Sequence, residues 1–177
     1  MDVFTVPTVT FRILYVWFAL NHGRRRILHF AITDHRSAAW VVQQLREAFP
    51  FDAAPRHRIF DRDSIFSTSV VSTVKSFGIK AARTAYRSPW QNGVAERWVG
   101  SVRRELLDHV VVFNERHLRR LLRDYVAYYH DDRTHLGLGK ATPAERPVDR
   151  RPDGEAEVVA LPRVGGLHHR YERRAVT

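Results

Sequence analysis

The run Tyr15-Val16-Trp17-Phe18-Ala19-Leu20 is the most apolar stretch of the chain, with Arg12 before it and Asn21-His22-Gly23 after it. So bounded, it is far too short to cross a membrane, and it reads as a strand. Phe11 to Leu20 and Arg26 to Thr33 then form a hairpin about the turn at Asn21-His22-Gly23-Arg24, and Asp2 to Val6 reads as the end of a preceding strand. From there the pattern alternates. Ser37 to Phe49 carries Ala38, Val41, Val42, Leu45 and Phe49 at helical spacing. Arg56 to Phe60 is a short strand, Ser67 to Phe77 a helix stopped by Gly78, and Ile79 to Thr84 a further strand. A last helix begins near Asn114, a suitable N-cap, with Leu118, Leu121, Leu122, Tyr125 and Tyr129 on one face. An antiparallel start followed by alternating elements predicts an α/β domain with a mixed sheet covered by helices.

Charge narrows the partners. Against 19 acidic residues stand 29 basic ones, a formal charge of +10 on 177 residues. Only Lys75, Lys80 and Lys140 are lysines; every other basic residue is arginine. A surplus of this size draws polyanions, nucleic acid first among them. A membrane surface fits less well, because the basic residues are not gathered on one amphipathic helix. No signal peptide is read at Met1-Asp2, which lacks a basic lead. Without cysteine there is neither disulfide nor thiolate metal site, and the ten histidines lack zinc-module spacing.

The stretch Arg87 to Leu106 (RSPWQNGVAERWVGSVRREL) opens as a turn and closes as a helix. On a helical wheel centred on Ala95, residues Trp98, Val99, Val102, Leu106 and Val110 fall within about ±60°, a core-facing stripe. Glu96, Gly100 and Arg103 fall together at about 80–140°, beside it. Two other carboxylates stand at element ends: Asp2 on the first strand and Asp61 directly after the fourth. Converging carboxylates near strand ends of an open α/β sheet suit a hard divalent cation, and two such ions serve phosphodiester chemistry. Read alone, the helix edge has a second interpretation: a solvated face with Glu96 paired to Arg97 or Arg103.

Four segments together, Asp2 to Thr8 (DVFTVPT), Phe60-Asp61-Arg62-Asp63, Ser88 to Arg97 (SPWQNGVAER) and Tyr128 to Leu136 (YYHDDRTHL), resemble the integrase catalytic core of DDE transposases. The resemblance is to the branch carried by bacterial insertion sequences, related to retroviral integrases. It runs from Asp2 to about Pro147, and Val159 to Tyr171 is similar to the ending of some of these proteins. Asp61 and Glu96 lie 35 positions apart, the family's usual separation of its second and third acids.

The resemblance implies an RNase H-like fold with a mixed five-stranded sheet flanked by helices. It implies that Asp2, Asp61 and Glu96 hold two Mg²⁺ or Mn²⁺ ions, with Asp63 a turn residue or supporting neighbour. Gln91 and Asn92 resemble positions that touch DNA ends; Arg97, Gly100 and Arg103 continue that edge. The activity implied is hydrolysis at a transposon end and strand transfer into target DNA, by a homo-oligomer working in the bacterial cytoplasm on the nucleoid. Residues 1–147 are expected to be the core, and 148–177 a linker and basic tail with a small hairpin around Gly165-Gly166. Only Met1 precedes the first acid, so the first strand is expected to be truncated. The alternative function is therefore a catalytically silent fragment that only binds DNA or a full-length transposase. A general RNase H-like nuclease fits the metal logic but leaves the SPWQNG loop and the tail unexplained.

Overall fold

The computed structural model describes residues 1–49, 57–60, 65–83, 92–147 and 155–175. Three strands, β1 (Asp2–Pro7), β2 (Ile13–Asn21) and β3 (Arg26–Thr33), form an antiparallel sheet in the order β1-β2-β3. Asp2 stands opposite Phe18, and Trp17 opposite Ala31. Successive side chains of β2 point to opposite faces, and both faces are covered, which is why its sequence is an unbroken apolar run.

Helices α1 (Ala38–Ala48) and α2 (Thr68–Ser76) cover one face, where Met1, Trp17, Ala19, Val41, Leu45, Val70 and Val74 form one buried cluster. Helices α3 (Gly93–Glu105) and α4 (Glu115–Asp131) cover the other, where Phe4, Val16, Phe18, Leu20, Trp98, Val102, Leu118, Leu122 and Tyr125 form the second. Trp98 is the centre of that cluster, its ring 4.2 Å from Phe18 and 5.7 Å from Phe4 between centroids. The helix ends follow local chemistry. The Ser37 and Asn114 side chains accept the N–H groups of Trp40 and His117 at 3.1 and 2.9 Å, capping α1 and α4. At the end of α2, Gly78 takes φ +72°, its N–H reaching the Lys75 carbonyl while that of Ile79 reaches Val74. This paired pattern closes the helix and needs a left-handed residue.

Two expectations are corrected. The mixed character of the sheet holds, because β4 (His57–Phe60) and β5 (Lys80–Arg83) pair in parallel across the α2 crossover. A single five-stranded sheet does not, because the described pairings leave β1–β3 and β4–β5 as separate ladders. Strands of four residues offer few ladder bonds, and β4 and β5 make theirs to each other. Val110 also leaves the α3 stripe: the helix ends at Glu105, and Leu106 turns away at φ −135°, ψ −63° before a 3₁₀ turn at Leu107–His109.

Strands β6 (Ala156–Arg163) and β7 (His168–Ala175) form a hairpin against the ends of α3 and α4. Its anchor is Asp132, whose side chain is 4% exposed and meets Arg146 at 3.1 Å, Arg163 at 2.5 Å and Arg170 at 3.6 Å. His168 donates through Nε2 to the Glu105 carbonyl at 2.8 Å and stacks on Tyr128 with centroids 4.4 Å apart.

Candidate active site

Helix α3 begins with an asparagine that does not cap it. Asn92 stands at the N-cap, where its side chain would ordinarily accept a backbone N–H of the first turn. Instead it reaches across 90 residues of sequence and donates through Nδ2 to Oδ2 of Asp2 at 3.1 Å. The other Asp2 oxygen accepts the Val3 N–H at 2.8 Å. Asp2 is 7% and Asn92 2% exposed, so this bond ties the start of β1 to the start of α3 inside the protein. Glu96 follows Asn92 by four residues, about 40° around the helix, and stands exposed on the same edge.

Asn92 Oδ1 is buried and has no hydrogen-bond partner among the described residues. An orphaned amide oxygen beside a carboxylate, with a second carboxylate one turn on, is a set of hard oxygen donors, and these residues fit a divalent cation. Among the described residues no three His, Asp or Glu side chains gather into a metal-holding group. Asp61 and Asp63, which follow the C-terminal end of β4, lie outside the described residues, as does Gln91.

The residues expected along the DNA edge separate. Glu96 is exposed, and among the described residues it pairs with neither Arg97 nor Arg103. Arg97 donates through Nε to the Gly93 carbonyl at 2.9 Å and lines a cleft with Arg25, Arg104 and Arg133. Arg103 stands elsewhere, over the far end of β1, in a groove with Thr5 to Val9 and Val110 to Val112. Gly100 lies between them with the Arg104 guanidinium over its open side.

The group that fixes the other end of α3 is only partly marked in the sequence, where Arg133 and His135 belong to the YYHDDRTHL segment but Glu105 and Tyr125 do not. Glu105 accepts Nε and Nη2 of Arg133 at 2.9 and 2.7 Å and the Tyr125 hydroxyl at 2.8 Å. Burial acts to raise the Glu105 carboxyl, but the hydrogen bonds from Arg133 and Tyr125 outweigh it and hold it below its ordinary range. Burial and the same carboxylate push the Tyr125 hydroxyl up, so it stays a donor. Arg133 Nη1 meets Nδ1 of His135 at 3.2 Å. Burial first, then the Arg133 charge, pull His135 down to about 4, which keeps the imidazole neutral as that nitrogen's acceptor role requires. The partners lie on different elements, so no periodicity in one segment could announce them.

Residues 77–143 match the family model of the integrase core domain. The chain is similar to integrase core domains over this segment. The match begins at Phe77 and takes in Glu96, Arg133 and His135. Over 140 residues, 75% of the chain, it is 25% identical to the transposase InsD for insertion element IS2A/D/F/H/I/K of Escherichia coli, and equally to that for IS2D of Escherichia coli strain K12. The alignment covers 46% of each, and 64% of the InsD protein of IS2E, so the chain spans about half to two-thirds of these curated relatives. Among solved structures, the catalytic core domain of BIV integrase superposes with a TM-score of 0.56 at 17% identity, covering 81% of this chain and 90% of that one. A chain of the simian T-cell lymphotropic virus intasome in complex with PP2A regulatory subunit B56 gamma superposes at 0.63 and 12% identity, covering 98% of this chain and 65% of that one. The fold is thus that of integrase catalytic cores, RNase H-like, and the resemblance read from the sequence motifs is found again in the family model and in the relatives. No described helix is long and apolar enough to cross a membrane.

Proposed function

We propose that this chain is the catalytic core of a DDE transposase, with Asp2, Asp61 and Glu96 holding two Mg²⁺ or Mn²⁺ ions. The observation that carries the proposal is the buried Asn92–Asp2 hydrogen bond, which sets the first acid at the foot of the helix that bears the third. Bound there, a pair of divalent cations supplies Lewis-acid activation and neutralises charge developing on the phosphate. The protein's own part is placement. Asn92 holds one Asp2 oxygen and the Val3 N–H the other, so the carboxylate enters the site with its rotamer fixed. Exposed Glu96 and Arg97 stand where a DNA strand can approach the start of α3.

In the first reaction a water oxygen attacks the phosphorus at a transposon end and the bond to the 3′-oxygen breaks. A 3′-hydroxyl is left on one side and a 5′-phosphate on the other. In the second, that 3′-hydroxyl attacks a phosphorus of target DNA and displaces its 3′-oxygen, so one phosphodiester replaces another. Gln91, Arg97, Gly100 and Arg103 are proposed to meet DNA, whereas Asn92, buried against Asp2, acts on the site through that carboxylate. The working form is proposed to be a homo-oligomer on paired ends in the cytoplasm. Residues 1–147 are assigned to the core and 148–177 to a linker and basic tail.

The test is nicking and strand transfer on an oligonucleotide bearing the element's own end, with Mg²⁺ or Mn²⁺. The proposal expects product from the wild-type chain and at least a hundredfold less from Asp2→Asn, Asp61→Asn and Glu96→Gln. Product that survives all three substitutions would remove these residues from the chemistry. DNA binding without any product would favour the silent fragment.

A further inference from the structure

A cleft of about 400 Å³ opens beside the start of α3, between that helix, the β2–β3 turn and the loop after α4. Arg97, Ser101 and Arg104 face it from α3, Arg25 from the turn, and Arg133 and His135 from the loop. Among the described residues no carboxylate lines it. Among them, too, Arg25, Arg97 and Arg104 have no acidic partner, whereas Arg133 is held from behind by Glu105. Four guanidinium groups brought together from three elements repel one another unless something anionic lies between them.

The fold accepts local strain to bring Arg25 there. Its backbone is left-handed, φ +55°, although it is not glycine. Arg24, its neighbour, is bound to the carbonyls of Thr142 and Pro143 and to Glu145, which fastens the turn to the loop beyond α4. The Arg25 guanidinium then lies against Gly137, where an added Cβ would overlap it. Gly137 does not have a positive φ, so its lack of a side chain serves the guanidinium rather than the backbone. His135 is 4% exposed and neutral, and it steadies Arg133 through Nδ1.

We infer that this cleft seats the sugar-phosphate backbone of a DNA duplex, through arginine–phosphate contacts that do not read sequence. The inference rests on the proposal that the chain acts on DNA and adds where the backbone lies. Arginine is suited to it, because its planar fork matches phosphate oxygens in pairs. The cleft is larger than one phosphate, and Arg97 directly follows Glu96. A strand lying in it therefore passes beside the proposed catalytic edge.

The test is fluorescence anisotropy of the full chain with a labelled duplex, in EDTA, across a series of NaCl concentrations. Four proteins are compared: wild type, Arg25→Gln/Arg104→Gln, Gly137→Ala, and Arg116→Gln/Arg120→Gln as an equal charge change on exposed positions of α4. Thermal melts of each confirm folding. The cleft variant is expected to bind at least tenfold more weakly, with the slope of log K against log salt reduced by about two, near 0.9 for each phosphate no longer neutralised. Gly137→Ala changes no charge and is expected to weaken binding about threefold by displacing Arg25. The α4 variant should weaken less than the cleft variant. If the cleft variants bind as the α4 control does, the cleft is overturned while DNA binding stands. If inorganic phosphate raises the melting temperature of the wild type but not of the cleft variant, and both bind DNA equally, the site takes free anions and the inference fails. Absence of DNA binding by the wild type would remove the proposed function as well.

Discussion

Toward α1 and α2 the central sheet buries Trp17 and Ala19 against Val41, Leu45, Val70 and Val74, with a polar contact at its margin from His29 to Gln44 at 3.0 Å. Toward α3 and α4 it buries Phe4, Phe18 and Trp98, and behind them stands the Glu105–Arg133–Tyr125 group and the Asp132 cluster. The outer surfaces differ in the same sense. Helices α1 and α2 carry Arg46 and Lys75 as their only cations, while α3 and α4 carry Arg97, Arg103, Arg104, Arg116, Arg119, Arg120 and Arg123. The excess charge of the chain is therefore not a uniform property of its surface. One face is a hydrophobic support; the other holds Asp2 and Glu96, most of the helical cations and the ion pairs of Glu105 and Asp132.

The largest expected effect treats the two faces alike. Replacing Trp98 or Trp17 by alanine empties a wholly buried site and should cost about 3–5 kcal/mol, a large part of a domain's whole stability. Urea unfolding should show one transition moved to lower denaturant in both variants. Two separate transitions in either would mean the faces fold independently.

Next, the polar groups of the two faces should differ. Glu105→Ala leaves Arg133 and the Tyr125 hydroxyl without their partner. Both ion-pair side chains keep roughly a quarter of their surface, 25% and 22%, so the cost should be about 2–3 kcal/mol, below that of a fully buried pair. Gln44→Ala on the opposite face should cost about 1 kcal/mol. Equal costs would erase the distinction.

Acid should reach the α3–α4 face first. Burial and Arg133 lower His135 to about 4, and burial and Arg26 lower His130, from an ordinary 6.5. Between those limits the unfolded chain binds protons that the folded chain does not. Stability is therefore whole above about pH 6.5 and declines as pH falls toward about 4. Glu105, lowered from 4.5, adds a further decline below that value. Urea midpoints across this range should fall for the wild type and fall less steeply for His135→Asn; an unchanged slope would contradict the assignment. Smallest and least dependent on the face are the caps: Ser37→Ala and Asn114→Ala should each cost about 1 kcal/mol.

What can be read in the sequence follows the range of the interactions. Elements β1 to β3, α1 and α4 are legible because apolar period, turn residues and capping are local signals, and Asn114 caps α4 as its position predicts. The apolar stripe carries α3 too far, to Val110, because the spacing continues past Leu106 while the helical backbone does not. Element order and family resemblance point to five strands in one sheet, but neither fixes which strands pair. Within the site, motif spacing finds Glu96 on α3. The same motif makes Asn92 a DNA contact in a loop, and its bond to Asp2 spans too much sequence to leave a pattern. Arg25 falls between the turn at Asn21–Arg24 and the strand from Arg26 and carries no signal of its own, since only the folded chain sets it against Gly137.

The most direct test of the central claim is thermal unfolding with and without Mn²⁺, for the wild type, Asp2→Asn and Asp61→Asn. At a metal concentration a hundredfold above Kd, binding adds about 2.7 kcal/mol, or roughly 5–11 °C for a chain of this size. The account predicts that rise in the wild type and none in either variant. A cooperative wild-type melt unmoved by Mn²⁺, or an equal rise in all three proteins, would contradict it.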